Sequence, residues 1–119
     1  MRKIIAIDFD GTLCLDKWPE IGEPLEITIK VAKKEKEHGA ALILWTCRCG
    51  DMLEAAVEWC RERGLEFDAI NENLPERVAM YGTESRKISA DEYWDDKLVT
   101  ALDLVTRFML FEREEEQEE

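Results

Sequence analysis

Residues 3–9, KIIAIDF, form an almost unbroken apolar run that stops at Asp-Gly. A strand with one face in water alternates apolar and polar side chains. A run without alternation belongs to a strand buried on both faces, as in a parallel sheet covered by helices. Three further runs share the pattern. Residues 40–46 (AALILWT) follow Gly39 and give way to Cys47-Arg48-Cys49-Gly50, residues 66–70 make a weaker run, and residues 88–94 end in Asp95-Asp96. Parallel neighbours need long crossovers, and the segments between the runs supply them. Within residues 51–63, Leu53, Ala56, Val57 and Cys60 recur at helical spacing, with Asp51 placed to cap the start and Gly64 to close the end. Beyond Asp96, the spacing of Leu98, Leu102, Val105 and Met109 predicts a second amphipathic helix, capped by Asp95 or Asp96. The first connection is mixed: Ile27, Ile29 and Val31 alternate as a strand would, while residues 33–38 read as a solvated helical turn. Pro24 at a helix start, Gly39 beyond its end and the need for a crossover favour a helix.

The predicted fold is therefore α/β, an open parallel sheet of at least four strands with flanking helices, right-handed crossovers and a ligand crevice at the carboxyl ends of the strands. At 119 residues the chain has room for one domain, taken as residues 1–111, and none for a separate substrate-binding domain. Residues 71–86 form a long polar connection able to line the crevice. Residues 112–119, EREEEQEE, hold six Glu and one Arg and read as an acidic tail, frayed or disordered. The formal net charge of -12 disfavours nucleic-acid binding through a basic surface, and it would repel phosphate unless a cation acts locally. No apolar run reaches the roughly 18 residues of a membrane helix, and the first residues meet carboxylates too early for a signal peptide, which points to the cytoplasm. Cys14, Cys47, Cys49 and Cys60 lack the paired spacing of a zinc site and read as reduced thiols, with Cys14 and Cys47 near the strand ends.

The polar residues that close the runs carry the chemistry. Asp8 and Asp10 end the first, Thr46 the second, Asn71 the third, and Asp95 and Asp96 the fourth, so all converge on one edge of the sheet. Two residues apart in extended chain, Asp8 and Asp10 have α-carbons roughly 6–7 Å apart and lean to the same side. Ionising three or four carboxylates in one crevice is unfavourable without a cation, and Mg2+ is the hard, oxygen-seeking ion that suits them.

Asp8-Phe9-Asp10-Gly11-Thr12 resembles the D-x-D-G-T signature of the haloacid dehalogenase superfamily of hydrolases. Thr46, Lys87 and the Asp95-Asp96 pair follow in that superfamily's order, over about residues 4–97. The resemblance implies a small member without a cap domain, an Mg2+-dependent phosphatase. Asp8 would be the nucleophile that becomes an aspartyl-phosphate, and Asp10 the general acid and base. Metal ligands would be Asp8 and Asp95, the main-chain carbonyl of Asp10, and Asp96 close by or through water. Asp91 opens an alternative D-x-x-x-D pattern that also ends at Asp95. Thr46 and Lys87 would hold the phosphoryl oxygens, and Gly11 would let main-chain N–H groups turn to the phosphate. Without a cap, the site would be open to large phosphorylated substrates or completed by another subunit.

Bland readings stand beside these. Arg48 either meets substrate or pairs with the acidic surface. Trp18, Trp45, Trp59 and Trp94 read as core or rim packing, and His38 as a helix C-terminal residue. The rival functional class is a phospho-accepting or metal-binding regulatory module without turnover, followed by a degenerate interaction protein. A receiver-type module places its acidic pair before the phosphorylated Asp on a separate strand, unlike the continuous D-x-D-G-T here.

Overall fold

A computed structural model describes residues 1–118. Four parallel strands form the sheet in the order β5-β4-β1-β6, with β1 at Ile4–Ile7, β4 at Ala41–Leu44, β5 at Ala69–Ile70 and β6 at Glu92–Trp94. Both pairings of β1 are parallel, Ile7 lying opposite Leu44 on one side and Trp94 on the other. The unalternated runs behave as expected: every residue of β1 and β4 is buried. Alternate residues divide between two cores. Ile5, Ile7, Leu42 and Leu44 pack with Ile29, Ala32, Ala56 and Cys60 on one face, and Ile4, Ala6, Ala41 and Ile43 pack with Leu74 and Ile88 on the other.

Helix α1, Glu26–Glu37, supplies the first crossover and buries Ile29 and Ala32, while Ile27 stays exposed. His38 caps its C-terminal end, the ring Nδ1 lying 2.7 Å from the Lys34 carbonyl. Pro24 does not begin this helix; it ends a strand. Residues 14–24 form an antiparallel hairpin, β2 at Cys14–Lys17 and β3 at Glu20–Pro24, that the sequence pattern did not announce. Helix α2, Gly50–Glu62, matches its predicted span, but Cys49 occupies the N-cap and Asp51 sits in the first turn. Gly64 closes the helix, donating its N–H to Arg61. The polar connection contains a short helix, α3 at Pro75–Tyr81.

Helix α4, Ala101–Glu118, begins later than Leu98 and Asp96 suggest. Its start is held reciprocally by Thr100 and Asp103, each taking the other's main-chain N–H, so neither Asp95 nor Asp96 caps it. The expected tail is helical through residue 118, and position 119 lies outside the described residues. No helix among the described residues is long and apolar enough to cross a membrane.

Candidate active site

Parallel pairing of β1 with β6 brings their carboxyl ends together. The Asp8 N–H donates to the Trp94 carbonyl at 2.9 Å, which sets Asp8 beside the acidic pair that follows Trp94. Carboxylate oxygens of Asp8, Asp95 and Asp96 then lie within 4.8 Å of one another. Burial, followed by the charge of Asp95, raises the Asp8 pKa to about 6; Asp96 and Asp10 add to the rise and the Phe9 N–H opposes it. Three oxygen donors at this separation fit a hard divalent ion, and the electrostatic cost of holding them together is what such an ion would remove. The side chain of Asp10 stands outside the cluster. Asp91 stands apart as well: its carboxylate takes the Ile4 N–H and pairs with Arg77, so it fastens β1 to α3.

Beside the cluster lies an open crevice of about 330 Å³, lined by Asp8, Asp95, Trp45, Thr46, Cys47, Asn71, Arg86 and Ile88. Asn71 accepts the Thr46 N–H at 2.8 Å and donates its own N–H to Leu44, tying together the ends of β4 and β5. It holds φ at 53°, a left-handed conformation that Asn tolerates better than most residues. Trp45 leans on Tyr93 at the rim. The crevice and the adjacent Asp96 set three carboxylates against the single guanidinium of Arg86, so a phosphate cannot bind here on protein charge alone.

Lys87 is not in this crevice. It lines a different cavity, of about 470 Å³, with Arg77, Tyr81, Ser85, Ser89 and Tyr93. The chain bends at residues 86 and 87, and the side toward Asp8 belongs to Arg86. Sequence reasoning passed over Arg86; the signal for it was a second basic residue adjacent to the one chosen.

Asp10 has been drawn the other way, toward the hairpin. Arg48 donates from Nε and Nη2 to the two carboxylate oxygens of Asp10, both at 2.8 Å. The same guanidinium donates to the carbonyls of Pro19 and Glu20, and it lies 5.2 Å from the Phe9 ring centroid and 5.0 Å from that of Trp18. Only 2% of Arg48 is exposed. Its pairing with Asp10 holds the guanidinium above its ordinary pKa. Arg48 thus pairs with an acid of the site itself, and neither the surface nor a substrate is its partner.

Gly11 does something other than present amides. Its own N–H goes to Cys14 and the Thr12 N–H to Phe9, so both are spent inside the turn. With φ at +88°, a β-carbon on Gly11 would lie 2.3 Å from an Asp96 oxygen; only glycine lets Asp96 close against the loop. The Thr12 hydroxyl is buried and has no partner among the described residues. Cys47 is exposed in the crevice, Cys49 is exposed, and Cys14 and Cys60 are buried. Burial pushes the Cys60 thiol up to about 12 and the Cys14 thiol upward as well, which leaves both unreactive. Of the tryptophans, Trp59 meets Phe9 edge-on and Trp94 packs against the same core, whereas Trp18 caps Arg48.

A conserved protein from Bacteroides thetaiotaomicron, of solved structure, is 35% identical to this chain, covering 94% of it and 93% of the relative, with a TM-score of 0.73. This chain belongs to that protein's family. The match over nearly the full length of both chains extends the fold to the Bacteroides relative, which is described as a conserved protein without a stated activity. No protein-family model and no curated protein matches the chain.

Proposed function

We propose that the chain is a phosphomonoester hydrolase of the haloacid dehalogenase type, dependent on Mg2+ and acting through an aspartyl-phosphate on Asp8. The supporting observation is the position of Asp8, which belongs both to the acidic cluster with Asp95 and Asp96 and to the crevice that holds Thr46 and Arg86. In the first step an Asp8 oxygen bonds to phosphorus, the ester P–O bond breaks and the leaving oxygen takes a proton from the Asp10 carboxyl. In the second, water gives a proton to the Asp10 carboxylate as its oxygen bonds to phosphorus, the bond between Asp8 oxygen and phosphorus breaks and phosphate departs. Asp8, Asp95 and Asp96 would hold Mg2+, joined on the family resemblance by the Asp10 carbonyl, and the ion supplies charge neutralisation for the phosphoryl oxygens. Arg86 and Thr46 orient those oxygens. Both carboxylate oxygens of Asp10 are taken up by Arg48, so proton exchange with water or with the leaving group requires that pair to open.

Among the described residues no lid covers the crevice, an opening that suits a large phosphorylated substrate. A cytoplasmic location fits four unpaired thiols. The test is hydrolysis of an aryl phosphate by purified protein with Mg2+, with and without Asp8→Asn. Equal rates for the two proteins would remove Asp8 as nucleophile. The Asp10–Arg48 pair also favours a second reading, a phospho-accepting module in which phospho-Asp8 persists because no acid or base is free. Intact mass after incubation with acetyl phosphate separates the two: a stable adduct of one phosphoryl group supports the module, and rapid turnover without an adduct supports the enzyme.

A further inference from the structure

Seven large apolar side chains of α4 are exposed: Leu102, Leu104, Val105, Phe108, Met109, Leu110 and Phe111. At 100° per residue, all but Leu110 fall on one half of the helix circumference. None joins either core of the sheet, whose central strands β1 and β4 are buried on both faces by other segments. The radius of gyration, 17.4 Å, exceeds the roughly 13–14 Å of a compact chain of this length, as a projecting helix requires. A contiguous apolar face of this kind, on the order of 600 Å², is at the upper end of what a monomer exposes and approaches the ~800 Å² per partner of a standard interface.

We infer that α4 pairs with α4 of a second copy of this chain, in antiparallel orientation. The two ends of the helix differ in charge. Asp103 and Arg107 balance in its first half, whereas Glu112, Glu114, Glu115 and Glu116 outnumber Arg113 beyond the apolar stretch. Parallel pairing would set acidic end against acidic end. Antiparallel pairing separates the two Glu-rich ends and places each beside the neutral first half and the amino terminus of the partner helix, where the helix dipole favours negative charge. This is the self-complementarity that a two-fold interface needs, since each half must recognise the other half of its own sequence. An 18-residue helix without tertiary support is marginal in water, so its helicity is coupled to association.

Sedimentation equilibrium of the full chain between about 1 and 100 µM tests the pairing. A concentration-dependent dimer is expected, with helical circular dichroism rising as the dimer forms. Val105→Glu with Phe108→Glu should give a monomer with reduced helicity. Both positions are exposed, so thermal unfolding of the sheet serves as the control that the rest of the chain is folded. Replacing Glu114, Glu115 and Glu116 by Lys should weaken the dimer about tenfold, because three positive charges then face the amino terminus of the partner helix. A monomer at every concentration, or a dimer that survives the double Glu variant, overturns the inference. A dimer that the three Lys replacements leave unchanged or strengthen overturns the antiparallel orientation.

Discussion

Asp8 and Asp10 are two residues apart on one loop, yet their surroundings are opposite. Asp8 faces two further carboxylates with no cationic side chain hydrogen-bonded to it, and burial and charge raise its pKa to about 6. Asp10 has both oxygens satisfied by a buried guanidinium. The first is electrostatically strained and ready for a cation or a phosphoryl group; the second is relaxed and serves to bind the hairpin to the sheet edge. An identical side chain thus acquires two roles from where its neighbours put their charge.

Breaking the Asp8 side of this contrast gives the largest expected effect. Asp8→Asn should lower phosphatase turnover at least about a thousandfold in steady-state kinetics, because the amide is a poor nucleophile. It should also raise the melting temperature of the metal-free protein, since it removes a charge that opposes folding. Unchanged turnover would make the strain at Asp8 a structural accident. Next comes Arg48→Ala, which leaves Asp10 partly buried and unpaired and lets the hairpin lose its anchor; chemical denaturation should show a loss of roughly 3 kcal/mol. A variant as stable as the parent would mean that the pair is not what holds β2 and β3.

The cationic residues sharpen the same comparison at smaller amplitude. Arg86→Ala should reduce kcat/KM roughly a hundredfold, whereas Lys87→Ala, facing the other cavity, should stay within about twofold. The reverse order would restore Lys87 as the phosphate ligand. The smallest effect is in pH dependence. The Asp8 pKa is raised on folding, from 3.8 to about 6, so its ionisation costs stability progressively as pH rises through that window and no further above it. The stability advantage of Asp8→Asn in metal-free protein should therefore grow from about pH 4 to pH 6 and then level off, and added Mg2+ should cancel it. Thermal denaturation across pH reads this directly.

Much of the frame could be read from the chain. Unalternated apolar runs marked β1 and β4 because a strand buried on both faces leaves no room for polar residues, and the i, i+3, i+4 pattern around Ala56 and Cys60 marked α2. The hairpin escaped because β2 and β3 are mostly solvent-facing, with Cys14 and Gly22 their buried residues, so they carry no apolar alternation. Helix α3 escaped for another reason: it is two turns long, its buried residue is Arg77, and it is anchored by Arg77 reaching Ser89 and Asp91 rather than by an apolar stripe. For α4 the stripe was legible but its destination was not, since periodicity reports that a face is apolar and not what lies opposite it.

The placement of Asp8, Thr46, Asn71, Asp95 and Asp96 at strand ends was determined by the sequence alone, because strand boundaries are local and parallel pairing sends their carboxyl ends to one edge. Whether Arg86 or Lys87 faces Asp8, and whether Asp10 is free or paired, was decided only by the tertiary structure. Both depend on which way a side chain turns in an irregular segment, and that direction is set by contacts with residues distant in the chain, Arg48 for Asp10 and the crevice wall for Arg86.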